Sequence, residues 1–190
     1  MFIMKVLLLN GSRRKEGCTY TALSVVANAL QEQSIETEII HAVPTDTVIK
    51  EVAEKLKTCD GIVLGSPVYW ASPTGEVITF LDKLCTIAGK ELHHKVGAVV
   101  VSARRAGTTA SLDVLLKYLS YHQMIIVSSN YWNMIHGNRP DEVQQDIEGL
   151  QIMRTLGKNM AWIMSCIDAG KKVGITPPIT EQKIMTNYIR

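Results

Sequence analysis

The 190-residue sequence predicts an α/β chain folded as a three-layer, doubly wound, five-stranded parallel sheet. Three observations lead there. Short apolar runs alternate with helix-period segments along the whole chain. Several of those runs are nearly continuous, as in strands covered on both faces, rather than alternating apolar with polar. The composition, 46% hydrophobic against 20% charged, is that of a globular domain that needs no disulfide or metal staple.

The elements follow in order. Met4-Lys5-Val6-Leu7-Leu8-Leu9 is the first strand. Its single lysine and the lack of a small-residue cleavage site argue against a signal peptide. A helix over about 19–33 carries Leu23, Val26 and Leu30 at spacings of three and four, one stripe to lay on a sheet. Thr37-Glu38-Ile39-Ile40 and a helix over 46–57 come next, then Gly61-Ile62-Val63-Leu64-Gly65 and a helix over 74–88. Val96-Gly97-Ala98-Val99-Val100-Val101 leads to a helix over 108–122, and Met124-Ile125-Ile126-Val127 is the fifth strand. Pro140 with Asp141 and Glu142 suits a helix start, because proline is tolerated there and acids favour the positive end of the dipole. From there an apolar stripe through Val143, Leu150, Leu156, Met160 and Ile167 predicts one long helix over about 141–169.

Charge and cysteine usage exclude several classes. Twenty Lys and Arg against eighteen Asp and Glu leave +2, too little for a protein that lives on nucleic-acid backbones. No apolar run reaches the roughly 20 residues of a membrane span. The cysteines at 18, 59, 85 and 166 form no CxxC pair, which excludes zinc ribbons and fits reduced thiols of a cytoplasmic protein.

Ligands of such sheets bind beyond the carboxyl ends of the strands, where strand order reverses. The loop after strand one, Asn10-Gly11-Ser12-Arg13-Arg14-Lys15-Glu16-Gly17-Cys18-Thr19, offers glycine, hydroxyls and cations before a helix, the donors that a phosphate needs. It is neither a Walker loop nor GxGxxG. The plainer reading is a solvated turn with Thr19 as N-cap. After strand three, Ser66-Pro67-Val68-Tyr69-Trp70-Ala71-Ser72-Pro73 sets two aromatics in a proline-stiffened loop, a wall for a planar ligand or a cap on the core. After strand four, Ser102-Ala103-Arg104-Arg105-Ala106-Gly107 admits close backbone approach. Spacing does not decide whether its arginines meet an anion or water. Together the loops describe a mononucleotide site, and FMN is the mononucleotide that needs a wide aromatic wall.

GSRRKEGCT, GSPVYWASPTGEVITFLDKL and SARRAGTTASLDVLLKYLSYHQM resemble the three flavin loops of the NADPH-dependent FMN reductase and iron–sulfur-flavoprotein-like branch of the flavodoxin-like superfamily. The resemblance covers about 1–137 in order and register. With the long final helix it implies a flavodoxin-like FMN domain over 1–170, and the apolar residues of the tail over 171–190 predict that the tail lies at an oligomer interface. Carried over, Ser12, Arg14, Lys15, Gly17, Cys18 and Thr19 surround the phosphate. Pro67, Val68, Tyr69 and Trp70 line the isoalloxazine and ribityl chain, and Ser102, Arg104, Arg105 and Gly107 approach the pyrimidine edge.

Two positions depart from the family pattern: Arg13 stands where proline is common, and Cys18 where asparagine is common. The compact cysteine cluster of iron–sulfur flavoproteins is absent, with Cys85 the lone cysteine between the third loop and strand four, so the expectation is flavin without a [4Fe–4S] centre. The implied activity is hydride transfer from NADPH or NADH to flavin N5, then on to a small acceptor such as a quinone, flavin, nitro or azo compound or metal ion. In that scheme Arg104 or Arg105 stabilises the reduced flavin or meets a nicotinamide 2′-phosphate. The rival classes are a one-electron carrier, which in flavodoxins is strongly acidic, and a flavin-binding module without turnover.

Remaining features carry smaller expectations. His93 and His94, adjacent before strand four, read as a solvated pair on opposite faces. His136 reaches a flavin site or caps its loop. Cys18 stands where a helix start lowers a thiol pKa, and its expected role is small filler. Met160, Trp162, Met164 and Ile167, with Ile179, Ile184, Met185 and Ile189 of the tail, predict a homodimer or homotetramer.

Overall fold

A computed structural model describes residues 4–186, so Ile189 lies outside the described residues. Its parallel strands are β1 (Lys5–Asn10), β2 (Glu36–His41), β3 (Gly61–Tyr69), β5 (Val96–Ala103), β6 (Ile125–Ile126) and β7 (Met134–His136). A two-residue β4 (Ser72–Pro73) pairs antiparallel with the end of β3. The helices are α1 (Cys18–Gln31), α2 (Asp46–Leu56), α3 (Gly75–Ala88), α4 (Thr108–Tyr121), α5 (Pro140–Val143) and α6 (Ile147–Lys172). Strand order is β2-β1-β3-β5-β6, and the chain reverses its direction of travel at β1 and β3. This is the doubly wound sheet that the periodicity predicts.

Successive strand residues face opposite layers, and that splits the core in two. Leu7, Leu9, Ile62, Leu64, Val99 and Val101 pack under α2, α3 and α4. Val6, Leu8, Val63, Ala98 and Val100 pack under α1 and α6. Every residue of β5 is buried, which accounts for its unbroken apolar run. Each such side chain contributes about 1.5–3 kcal/mol by leaving water. α1 and α6 cross closely: a Cβ on Gly157 would stand 2.7 Å from Ala29 Cβ and 2.9 Å from the Val26 carbonyl oxygen.

The structure corrects four expectations. The fifth strand position is shared: β6 pairs with Val96 and Gly97 at the start of β5, and β7 with Val101, Ser102 and Ala103 at its end. Residues 127–133 loop out between them. The long last helix is broken after Val143, because Asp146 turns its carboxylate onto the Gly149 N–H and caps a new helix. Met160 and Met164 are buried in their own core, so of the four helix residues Trp162 is 66% accessible and Ile167 half-buried. His93 and His94 lie in a turn rather than a strand, half-buried, with ring centroids 6.4 Å apart. Beyond Lys172 the described tail has no helix or strand, and Ile179, Ile184 and Met185 stay exposed. Lys183 Nζ donates to the Tyr121 hydroxyl at 2.8 Å. No described helix is long and apolar enough to cross a membrane.

Candidate functional site

β1 ends on Asn10, fully buried, and its side-chain amide shapes the loop that follows. Asn10 Oδ1 accepts the Ser12 N–H at 3.1 Å and Nδ2 donates to the Lys15 carbonyl at 2.9 Å. Ser12 Oγ accepts the Arg14 N–H at 3.1 Å, and His41 Nε2 lies 2.7 Å from the Ser12 carbonyl oxygen. Beneath the loop, Gly11 N–H donates to the Gly65 carbonyl at 2.8 Å and Thr74 Oγ1 to the Gly11 carbonyl at 2.9 Å. The loop is thus rigid before any ligand arrives. It delivers the chain into α1 at Gly17, which caps the helix with no side-chain acceptor. The first-turn N–H groups have no acceptor within the helix either, which makes this end a site for an anion. Thr19 is not the N-cap of the plainer reading. It sits two residues beyond the Gly17 cap, buried, with its hydroxyl 2.8 Å from Ser102 Oγ of β5.

The third loop is a hairpin. β3 runs on through Pro67 and Val68 to Tyr69, turns at Trp70 and Ala71, and returns as β4. Both turn residues are left-handed, at φ 54° and 57°, the geometry that twists with a two-residue hairpin. Their lack of glycine makes that turn a strained one. The tip rests on the start of α4 at Gly107, whose φ is 95°. A Cβ there would come within 2.6 Å of Ala71 Cα, so only glycine passes.

A cleft of about 170 Å³ opens where these loops meet at the carboxyl end of the sheet. Ser12, Arg14, Gly17, Cys18 and Thr19 line it from the first loop, Pro67, Val68 and Tyr69 from the hairpin, and Ser102 and Arg104 from the fourth loop. Lys15, Trp70, Arg105 and Gly107 are not among its walls. Trp70, at the turn beyond the end of β3, is wholly exposed. The walls also include Ala103, Gly137 and Asn138, which the sequence reading missed. Gly137 N–H donates to the Ala103 carbonyl at 3.0 Å, so its place follows from β7, the strand that was not anticipated. His136 is outside the walls, its backbone N–H held 2.7 Å from Asp146 Oδ2. A cavity of about 340 Å³ at the opposite end of the sheet, beside Met4, His94 and Lys171, gathers no loop of this kind.

The cleft is cationic. Arg14, Lys15, Arg104 and Arg105 have no carboxylate partner among the described residues, whereas Arg139 is paired with Asp141 and Glu142. Burial pushes the Cys18 thiol up and outweighs the opposing Arg14 charge, so the helix start does not activate it. Arg13 Nε donates to Glu76 Oε1 at 2.5 Å, and its guanidinium carbon lies 5.4 Å from the Tyr69 ring centre. Glu76 is held below the ordinary carboxylate range, first by its own N–H at the start of α3 and then by Arg13. Its Oε2 is shut off from solvent with no partner among the described residues. A surface ion pair returns about 0–1 kcal/mol, and both side chains here keep solvent, at 64% and 32% accessible, so the pair adds little to stability.

Residues 4–139 match the family model for NADPH-dependent FMN reductase. The chain belongs to this family. Among curated relatives, an iron–sulfur flavoprotein of Methanocaldococcus jannaschii is 29% identical over 86% of this chain and 99% of its own length. One of Archaeoglobus fulgidus is 30% identical over 66% of this chain and 73% of its own. Among solved structures, RosB with bound 8-demethyl-8-formylriboflavin-5′-phosphate superposes with TM-score 0.72 at 15% identity, covering 98% of this chain and 94% of that one. A WrbA-like flavodoxin from Agrobacterium tumefaciens gives 0.68 at 16% identity, covering 86% and 98%. The solved structures give the chain a flavodoxin-like fold, and membership of the FMN reductase family places it among flavoprotein oxidoreductases.

Proposed function

We propose that the protein is an FMN-dependent NAD(P)H oxidoreductase. When bound, FMN accepts hydride at N5 from NADPH or NADH and reduces a small acceptor: a quinone, flavin, nitro or azo compound, or metal ion. The observation that carries this reading is one cleft lined together by an uncapped helix start, by Ser12, Thr19 and Arg14, and by Tyr69. That donor set fits one phosphate and one flat ring. Ser12, Arg14, Gly17, Cys18 and Thr19 hold the phosphate, with Lys15 adding charge at the rim. Pro67, Val68 and Tyr69 border the isoalloxazine and ribityl chain. Ser102, Arg104 and Gly107 approach the pyrimidine edge, and Arg104 or Arg105 offsets negative charge there or meets a nicotinamide 2′-phosphate. No protein nucleophile, acid or base is required of the chain; its residues bind, orient and compensate charge.

The reading includes flavin without an iron–sulfur centre. A [4Fe–4S] cluster needs four thiolates around one point. Here Cys18 starts α1, Cys59 is buried after α2 with its Sγ on the Leu56 carbonyl, Cys85 is on α3 and Cys166 is exposed on α6. It also includes a cytoplasmic homodimer or homotetramer built on the 1–170 domain, with the exposed tail over 171–190 at the interface. Heat release and chromatography of the cofactor test the flavin: FMN is expected, and FAD or none after reconstitution would remove the reading. Rapid bleaching of the holoprotein by NAD(P)H tests turnover, iron and acid-labile sulfide assays test the cluster, and light scattering across a dilution series tests assembly, where 21.0 kDa throughout means a monomer.

A further inference from the structure

We infer that Arg13 is a positioning residue for the flavin wall, a clasp that ties the first loop to the Tyr69 hairpin through Glu76; the inference rests on the FMN reading. Three segments meet at this side chain. Arg13 belongs to the loop after β1, Tyr69 to the end of β3, and Glu76 to the first turn of α3. Its guanidinium donates to Glu76 Oε1 and lies by the face of Tyr69, so one planar cation is fixed at one edge by a carboxylate and presents its plane to a ring. Tyr69 in turn is a wall of the cleft.

The loops do not need this tie to stay together. The Gly11–Gly65 and Thr74–Gly11 hydrogen bonds already join them beneath, out of solvent. Arg13 acts at the solvent side, 64% accessible, where the two loops form the mouth of the cleft. Nor does the pair add much stability, since it is a surface ion pair with both side chains partly exposed. What it adds is orientation of one aromatic ring. Where the family resemblance puts proline, this chain replaces a stiff ring with a side chain that reaches across to the wall. The clasp therefore governs how Tyr69 meets the isoalloxazine, and with it FMN affinity and the asymmetry that the ring experiences.

The test uses reconstituted holoprotein: the parent, Arg13→Ala, Glu76→Gln and Arg13→Lys. FMN dissociation constants and the visible circular dichroism of bound flavin are read for each, with thermal melts to confirm folding. Arg13→Ala and Glu76→Gln are each expected to weaken FMN about three- to tenfold and to change the visible dichroism. Arg13→Lys keeps the charge without the planar fork and is expected to fall between them and the parent. Glu76→Gln breaks the clasp from the other side, so the result does not depend on Arg13→Ala folding. If both variants match the parent in affinity and dichroism, the clasp is overturned and the FMN reading stands. A parent that takes up no FMN removes the reading itself.

Discussion

The long helices of this protein begin in two ways. α2, α3 and α6 start from side chains that close their own first turns: Thr45 accepts from Val48 N–H, Thr74 from Val77 N–H and Asp146 from Gly149 N–H. α1 and α4 start from Gly17 and Gly107, with no side-chain acceptor. A side-chain cap is worth about 0.5–2 kcal/mol over alanine but only a few tenths over glycine, so the glycine starts give up little stability. α1 starts at the cleft and α4 against the hairpin tip, whereas α3 closes its own first turn although the hairpin before it lines the cleft with Pro67, Val68 and Tyr69. The start left open to a ligand is that of α1.

The largest expected effect comes from forcing a side chain onto an open start. Gly107→Ala places a Cβ at a left-handed φ and against Ala71 Cα, and should cost about 3 kcal/mol, at the upper end for backbone strain. A thermal melt should fall by roughly 6–12 °C for a chain of this size. An unchanged melt would mean that the hairpin tip does not rest on α4. Removing a closed start comes next. Thr74→Ala loses a cap and orphans the buried Gly11 carbonyl together, about 2–3 kcal/mol, whereas Thr45→Ala, on the surface, should cost about 0.5–1. Equal costs in denaturant titrations would dissolve the difference between the two threonines.

Converting an open start into a closed one is the sharper test. Gly17→Asp supplies α1 with an acceptor for its own N–H groups, so the apoprotein should be no less stable. FMN affinity should fall at least tenfold, about 1.4 kcal/mol, because the carboxylate competes with phosphate for the same donors. Retained affinity would place the phosphate elsewhere. The smallest effect concerns Cys18. Its thiol is raised above the ordinary 9.0 by burial, so at pH 8 the apoprotein's Cys18 should alkylate more slowly than the exposed Cys166. The difference should shrink as pH climbs past 9.0 and the thiolate forms. Faster reaction at Cys18 would mean that the helix start, not burial, controls it.

How much of this was legible before the structure depends on what kind of signal each part leaves. Strands buried on both faces leave runs such as Val96–Val101, and helices on a sheet leave the Leu23, Val26, Leu30 spacing, so the layers could be read directly. β6 and β7 leave almost nothing, since two and three residues are too few for a period, and Gly137 and Asn138 were lost with them. Donor chemistry in the first loop was visible from residue type. The bracing by His41 and Thr74 was not, because His41 reaches Ser12 across 29 positions and Thr74 reaches Gly11 across 63. Tyr69 and Trp70 were grouped because they are adjacent, yet the strand ends between them: Tyr69 closes β3 and Trp70 begins the exposed turn. Met160 and Met164 looked like contact surface only because helix periodicity does not say which stripe is already covered.

The close crossing of α1 and α6 bears on the order in which the chain can become a folded body. α1 is delivered early in synthesis, but the face that admits Gly157 against Val26 and Ala29 has no cover until residues 147–172 have followed. The layer under α2, α3 and α4 closes with the first 121 residues, and the layer under α1 waits for the last helix. On the ribosome, then, one side of the sheet matures while the other remains a sticky half-core, and the interval between them is when this protein most needs a chaperone's shelter.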